Sequence, residues 1–491
     1  MLTVPRRFSE TYAAFHIKPS ELDNSLNSVR QYSVWHSEGD RLYEQKCFEE
    51  SITCYERALA NKSDEYLAWN KLGLAQAALQ QYQQAMSSFD QAIEINQVIH
   101  LAWYNKGNIL RELKHHEGAI ANYDRALECQ PERHKDWIWH NRGLSLWDLE
   151  RLEETADSYA HAVGINPQNF QSWTNRGKVL SQLGRYQEAL ASYNRSIEIK
   201  AGEYLTWANR AITLADLGSF DAALESLDKA LELNPTSDEL WNDRGVFLYE
   251  LDQYEEALAS FEQSISFKSD EDTTWFNRGN ALLRLERFDE AINSYDHALT
   301  LNPDNHLIWD NRGFVLSELN RLDEAIASYE QAIALCPSNY STWNNRGSDL
   351  YSMGYYREAL NSFDHAVALK SNVALYWTNR GNALRQLGQL ENALASYNTA
   401  LLIDPTYSQA QHWQSTILKG LEHKNEMLFR AQFNSREQIS EEDKKLAFYQ
   451  ALLASGLIKQ IKQTSRDTQS ERRLIQVQGK SISEMIIEER R

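Results

Sequence analysis

Apolar and small residues recur along the middle of the chain with the spacing of two short helices joined by a turn. In residues 170–203 a first helix is predicted by a face at i, i+4 and i+7, formed by Trp173, Gly177 and Leu180. Gly184 then permits the left-handed backbone that ends a helix. The face of a second helix follows, formed by Ala189, Tyr193 and Ser196. The pattern predicts a helix-turn-helix repeat of 34 residues.

The same pattern returns at a fixed step. The phrase Trp-x-Asn-Arg-Gly begins at Trp139 and is last seen at Trp377, and the Trp residues between them are 34 residues apart. Placing Trp at position 4 defines eleven repeats, of which only the third is longer: 32–65, 66–99, 100–135, 136–169, 170–203, 204–237, 238–271, 272–305, 306–339, 340–373 and 374–407. A period of this length indicates stacked repeats that bury their faces against their neighbours. The sequence therefore predicts an all-α solenoid.

Two positions of the repeat report on packing. Position 8 is Gly in ten repeats and Ala211 in the other. Because Gly lowers helix propensity, we expect a neighbouring helix backbone to pass too close there for a side chain. Position 32 ends the second helix with a proline in six repeats, namely Pro131, Pro167, Pro235, Pro303, Pro337 and Pro405.

Trp at position 4, Gly at 8, Tyr or Phe at 24, Ala at 27 and Pro at 32 resemble the tetratricopeptide repeat family over residues 32–407. The resemblance implies a right-handed superhelix in which the first helices line a concave groove. Three features depart from the family pattern: Arg or Lys at position 7 in most repeats, Leu227 at position 24 and Thr155 at position 20. We expect these to be local variations that leave the fold intact.

The flanking segments carry no copy of the phrase. Residues 1–31 are predicted to form an N-terminal arm with a possible cap helix, and residues 408–425 a C-terminal cap helix with a polar outer face. Residues 426–491 are predicted to be a separate tail of helix, linker, short strand and helix. This small mixed tail resembles the C-terminal region of small bacterial antitoxin-like proteins, which implies a separate protein-binding element.

Position 6 carries the strongest candidates for binding. It is occupied by Asn105, Asn141, Asn175, Asn209, Asp243, Asn277, Asn311, Asn345 and Asn379. An Asn amide both donates and accepts hydrogen bonds, so a row of them can hold the peptide groups of an extended chain. The row resembles the asparagine ladder of O-linked N-acetylglucosamine transferases and kinesin light chains. In the alternative interpretation, each Asn bonds a neighbouring helix and supports the stack, and the sequence leaves both open.

Position 7 carries Arg in eight repeats, and these cations have two interpretations. They could bind partner carboxylates, or they could pair with acids of the second helices such as Asp296, Glu330 and Asp364. We favour the internal pairs, because free cations are hard to reconcile with so acidic a chain. The family resemblance also places a mildly acidic set of side chains in the groove, with possible aromatic anchors at Tyr104, Trp147, Tyr249 and Tyr351.

The amino-acid composition of the chain limits the classes of function that we expect. A net charge of −19 argues against nucleic-acid binding, which needs clustered basic residues, and favours a neutral to basic partner. No segment is apolar for long enough to cross a membrane, and the four Cys have no paired spacing, which together indicate a cytoplasmic protein in a reducing compartment. We find no catalytic motif, metal-ligand spacing or cofactor-binding loop.

The sequence thus predicts a non-enzymatic scaffold or adaptor that binds an extended protein or peptide segment in its groove, without catalytic residues, metal or cofactor. Two alternatives remain. In one, the tail is the effector of a regulatory or antitoxin-like protein and the repeats are its sensor. In the other, the chain is the substrate-selecting subunit of a transferase.

Overall fold

The computed structural model describes residues 19–433 and residue 450, and the described residues form 23 α-helices with no β-strand among them. The chain divides into two compact units, Met1–Lys268 and Ser269–Arg491. The N-terminal unit contains α1 (Pro19–Glu44), α2 (Phe48–Asn61), α3 (Tyr66–Ala78), α4 (Tyr82–Ile95), α5 (His100–Glu112), α6 (His116–Glu128), α7 (Lys135–Asp148), α8 (Leu152–Ile165), α9 (Phe170–Gln182), α10 (Tyr186–Ile199), α11 (Tyr204–Asp216), α12 (Phe220–Leu233), α13 (Asp238–Glu250) and α14 (Tyr254–Phe267). The C-terminal unit contains α15 (Asp272–Arg284), α16 (Phe288–Leu301), α17 (His306–Glu318), α18 (Leu322–Leu335), α19 (Tyr340–Ser352), α20 (Tyr356–Leu369), α21 (Ala374–Gln386), α22 (Leu390–Ile403) and α23 (Ser408–Phe433). The prediction of consecutive helix-turn-helix repeats is confirmed.

Each turn between the two helices of a repeat has one residue in the left-handed region at position 15. The prediction of this conformation at Gly184 is confirmed by its φ of +73°. The turn closes when the amide of Arg185 donates to the carbonyl of Leu180 at 2.8 Å, which satisfies a carbonyl at the end of α9. Other repeats place a non-glycine residue at this position, such as Gln80 with a φ of 60° and Glu286 with a φ of 57°.

The core of a repeat is built on the contact between positions 8 and 24. A Cβ added to Gly245 in α13 would lie 2.5 Å from Cε1 of Phe261 in α14. The expectation that a neighbouring helix backbone excludes the side chain is therefore wrong, since the excluding group is an aromatic ring of the same repeat. The repeat without glycine also lacks the ring: Ala211 and Leu227 occupy the two positions and both are fully buried.

The Trp at position 4 joins successive repeats. The indole Nε1 of Trp173 donates to the carbonyl of Pro167 at 3.0 Å, and that of Trp309 donates to the carbonyl of Pro303 at 2.9 Å. Each bond ties the first helix of one repeat to the residue that ends the second helix before it. Trp139 follows the longer third repeat and instead stacks on His161, with 4.4 Å between the ring centroids.

The terminal helices do not follow the boundaries drawn from the sequence. Helix α1 runs through residue 31, so the described part of the predicted arm and cap is continuous with the first helix of repeat 1. Helix α23 continues past residue 425 to Phe433, so it includes the first residues assigned to the tail. Residues 1–18 of the arm, and residues 434–449 and 451–491 of the tail, lie outside the described residues.

Candidate functional site

The first helices of neighbouring repeats contact one another, as α3 does with α5 and α9 with α11 in the N-terminal unit, and α15 with α17 and α19 with α21 in the C-terminal unit. Within each unit, we call the surface formed by positions 5, 6, 9, 12 and 13 of the first helices the first-helix face. All the predicted site residues belong to these positions. The packing of the first helices therefore decides which of their side chains bond within the protein.

Four of the position-6 asparagines donate to the preceding first helix. Their partners at positions 5 and 9 lie 2.8–3.0 Å away: Asn105 to Asn70, Asn141 to Tyr104 and Asn108, Asn311 to Asn280, and Asn379 to Asn344. These bonds match the alternative in which the asparagines support the stack. They use the Nδ2 group, so the Oδ1 oxygen of each amide stays available to accept a hydrogen bond.

Asn209 and Asn345 differ from these four. Both are partly exposed, and neither side chain makes a hydrogen bond with any other described residue. Asn175 bonds the hydroxyl of Tyr159, and Asn277 is also engaged in an interaction. The amides at position 6 therefore fall into two groups. One group is hydrogen-bonded within the protein, and the other is free to bind a partner.

The preceding repeat explains the difference. An asparagine at its position 5 or 9 supplies the acceptor in each bonded case. The repeats before Asn209 and Asn345 have no asparagine at either position, since these hold Thr174 and Lys178 in one and Asp310 and Phe314 in the other.

Asp243 takes the place of asparagine in repeat 7. Burial, followed by the nearby carboxylate of Glu239, raises the pKa of Asp243 to about 6, against a smaller lowering by a hydrogen bond with Asn242. Its charge is thus disfavoured in the folded state, in contrast to an uncharged asparagine at the same position.

Three of the four predicted aromatic anchors contact other side chains of the protein. The hydroxyl of Tyr104 accepts from Asn141, and burial raises its pKa. The hydroxyl of Tyr351 accepts from Gln386 at 3.1 Å, and the ring of Tyr249 packs edge-on against Tyr254. Through these contacts, the three aromatic side chains contribute to packing within the repeat region.

The fourth anchor, Trp147, lines the same cavity as Asn209. A cavity of about 380 Å³ opens on the first-helix face between α7, α9 and α11, within the range of roughly 300–1,000 Å³ typical of ligand pockets. It is lined by Trp147, Lys178, Ser181, Gln182, Tyr193, Asn209, Ile212, Thr213 and Asp216. The Lys178 ammonium lies 4.9 Å from the centroid of the Trp147 ring. The cavity therefore combines an aromatic surface, a free amide and side chains of both charges.

The three pairs predicted for the arginines at position 7 are confirmed. Arg312 donates from Nε to Asp296 and from Nη1 to the Ser328 hydroxyl, each at 2.7 Å. The other two predicted pairs also form, between Arg346 and Glu330 and between Arg380 and Asp364. Each of these three arginines links the second helices of two adjacent repeats, an arrangement we call the position-7 brace, and is therefore not available on the first-helix face. Arg176 bonds Ser192 of its own repeat instead, because position 25 before it is Ala160.

Family models for the tetratricopeptide repeat match most of the repeat region. One matches residues 100–133, 170–201, 273–305 and 374–407, and a second matches residues 36–98 and 209–272. Further models of the same repeat match residues 138–169, 294–327 and 315–354, so that together they cover more than half of the chain. The chain belongs to the tetratricopeptide repeat family.

Several solved structures are similar to this chain at low sequence identity and low TM-score. The tetratricopeptide repeat (TPR) protein YrrB, described as having an unusual peptide-binding site, is 22% identical over 37% of this chain and 92% of its own, with a TM-score of 0.35. Yeast Tom70 is 14% identical over 82% of this chain and 97% of its own, with a TM-score of 0.36. PilF of Pseudomonas aeruginosa is 18% identical over 43% and 97%, with a TM-score of 0.39. No curated protein sequence matches the chain.

The TPR family narrows the function to protein–protein interaction, because its members bind protein partners. The models that match the chain describe this repeat and none describes a catalytic domain. Among the described helices, none has both the length and the apolar composition that crossing a membrane requires. Within the same described part, no cluster of His, Cys, Asp or Glu is arranged to hold a metal ion.

Proposed function

We propose that this TPR protein is a non-enzymatic scaffold that binds an extended, neutral to basic peptide segment on its first-helix face. The observation that carries the proposal is the free amide of Asn209 in the cavity between α7, α9 and α11, which is also lined by Trp147. A free amide beside an aromatic surface can bond a peptide group while the ring packs against a neighbouring side chain.

The binding geometry follows from the chemistry of the lining. Asn209 donates through Nδ2 and accepts through Oδ1, which matches the N–H and C=O of an extended backbone without reading its side chains. Trp147 and the exposed Ile212 supply apolar contact. Asp216 is exposed, and no described residue forms an ion pair with it, so it is available to a Lys or Arg of the segment.

Other predicted site residues at position 6 also offer groups that can bind a peptide. Asn345 is the corresponding free amide of the C-terminal unit. The bonded asparagines Asn105, Asn141, Asn311 and Asn379 offer their Oδ1 oxygens as acceptors for peptide N–H groups. An extended segment rises by about 3.3 Å per residue, so several of its peptide groups can be held at once along the face of one unit.

Selection of a phage-displayed library of ten-residue peptides on the full-length chain tests the proposal. We expect enrichment of extended sequences containing Lys or Arg. In fluorescence anisotropy with a labelled selected peptide, Asn209→Ala and Trp147→Ala should each weaken binding about tenfold, the effect of losing roughly 1.4 kcal/mol. Circular dichroism should show unchanged helicity.

Asn293→Ala is the matched control, because Asn293 is an exposed asparagine on the second helix α16. It should leave the affinity unchanged within about twofold, a difference well below the roughly 1.4 kcal/mol that makes a tenfold change. If the selected peptides bind both cavity variants as tightly as the unaltered chain, or if no peptide is enriched, the first-helix face is not the binding surface.

A further inference from the structure

A cleft of about 740 Å³ separates the second helices of the first two repeats, α2 and α4. Its walls include Ile52 and Glu56 on α2 and Ser88 on α4, and its floor includes Leu72 and Gln76 on α3. The residues of α3 in this floor are at positions 7 and 11, away from the first-helix face. The cleft is therefore a different surface from the proposed peptide site.

At most other junctions the same space is bridged by the side chain at position 7. Arg176 is an exception, because position 25 before it is Ala160 and it bonds Ser192 of its own repeat. Arg142 donates to Asp124 and to the Ser158 hydroxyl, each at 2.7 Å, in the same way that Arg312 donates to Asp296 and Ser328. The acceptors of these two arginines are at position 25 of the preceding repeat and at position 23 of the same repeat. Even the terminal helix keeps a brace, since Gln414 of α23 donates to Asn398 at 2.6 Å.

The junction of α2 and α4 keeps the acceptors of a brace and lacks the donor. Position 7 is Leu72, which is 3% exposed and packs in the core. Glu56 stands at position 25 and makes no hydrogen bond or ion pair with any described residue. Ser88 stands at position 23 and donates to Gln76 at 2.7 Å, so its oxygen can still accept.

We propose that this cleft binds an arginine side chain of a partner protein, which takes the place of the missing brace. The guanidinium donates to the Glu56 carboxylate and the Ser88 hydroxyl, and its aliphatic stem packs on Ile52 and Leu72. Arginine fits better than lysine because its planar fork presents two donors in a fixed direction to two separate acceptors.

Charge favours an arginine from a partner over one from the same chain. Glu49 lines the cleft together with Glu56, so the cleft carries two carboxylates and no cation among its lining residues. The nearest arginine along α2, Arg57, lies over the ring of Trp35 at 4.6 Å from its centroid. The acidic chain as a whole, with a net charge of −19, also attracts a basic partner surface.

Trp69 provides a local readout because its ring lines the cleft. N-acetyl-arginine amide is titrated into full-length chain labelled with ¹⁵N-tryptophan, and the Trp69 indole signal is assigned by its loss in Trp69→Phe. We expect a saturable shift of this signal and no shift of the Trp309 signal, which reports on a braced junction. N-acetyl-citrulline amide, which has the same shape without the charge, should bind at least about tenfold more weakly.

Two variants test whether the arginine amide binds in the cleft. Glu56→Gln should weaken binding at least about tenfold, and Leu72→Arg should abolish it by supplying the internal brace. Glu330→Gln is the matched control, because Glu330 also stands at position 25 but is already paired with Arg346. The proposal is overturned if arginine and citrulline amides shift Trp69 with equal affinity, if Glu56→Gln leaves the affinity unchanged, or if Glu330→Gln weakens it equally.

Discussion

Replacing Gly245 by Ala tests how the contact between positions 8 and 24 shapes each repeat. An added Cβ would lie 2.5 Å from Cε1 and 2.6 Å from Cδ1 of Phe261. Phe261 is 1% exposed, so closely packed neighbours prevent its ring from moving aside. The preceding repeat avoids the clash with Ala211 and Leu227 in the same two positions.

The expected magnitude combines opposing terms. Ala stabilises a helix interior by about 1 kcal/mol relative to Gly. Overpacking a core costs about 1–3 kcal/mol, and a contact roughly 1 Å shorter than the optimal carbon–carbon distance belongs at the upper end. Gly245→Ala should therefore lower the free energy of unfolding by about 2 kcal/mol. Combining it with Phe261→Leu removes the clash, so the two substitutions should be coupled favourably by about 2 kcal/mol.

Urea unfolding followed by circular dichroism measures the global effect, and hydrogen exchange of peptides from residues 238–271 detects local opening of the repeat. Gly164→Ala is the control, because an added Cβ at this helical glycine has no neighbouring atom within 4 Å. It should stabilise the chain by up to about 1 kcal/mol. The reasoning fails if Gly245→Ala is equally stabilising, or if Phe261→Leu shows no coupling to it.

Two further predictions concern charged groups. Asp243→Asn should raise the free energy of unfolding at pH 7 by up to about 2–3 kcal/mol and lose this gain near pH 4. The folded pKa of Asp243 is about 6, above the ordinary value of 3.8, so folding binds a proton between these pH values and the stability of the unaltered chain falls as pH rises through them. Urea unfolding of both proteins across this range would contradict the assignment if their difference stayed constant. Arg312→Leu should cost about 1–2 kcal/mol because it removes the bonds to Asp296 and Ser328. Lys229→Leu, which removes an exposed pair, should cost less than about 0.5 kcal/mol in the same assay.

The proposed binding surfaces rest on departures from the repeat pattern. Asn209 makes no side-chain hydrogen bond with a described residue, and the repeat before it has no asparagine at position 5 or 9. The cleft between α2 and α4 lacks a brace because repeat 2 has Leu72 where most others have a cation. In a stack of near-identical repeats, such substitutions make one junction chemically different from the rest.

Most of the fold could be predicted from the sequence because its determinants are local. The spacing of apolar residues, the left-handed Gly184 and the prolines at position 32 act within one helix or turn, so a single repeat already contains them. The pairing of Arg312 with Asp296 was also predictable, because two opposite charges recur at a constant spacing of 16 residues. Because these features recur along the chain, each of them predicts the structure of the whole repeat region.

The sequence by itself determined the period, the helices, the turns and the chemistry available at each position. Only the tertiary structure decided that a ring, Phe261, excludes a side chain at Gly245, and that Asn379 is bonded while Asn345 is free. The physical reason is that these outcomes depend on distances of a few ångströms between side chains of different helices. Periodicity shows which residues share a face, but it does not measure the space between that face and its neighbour.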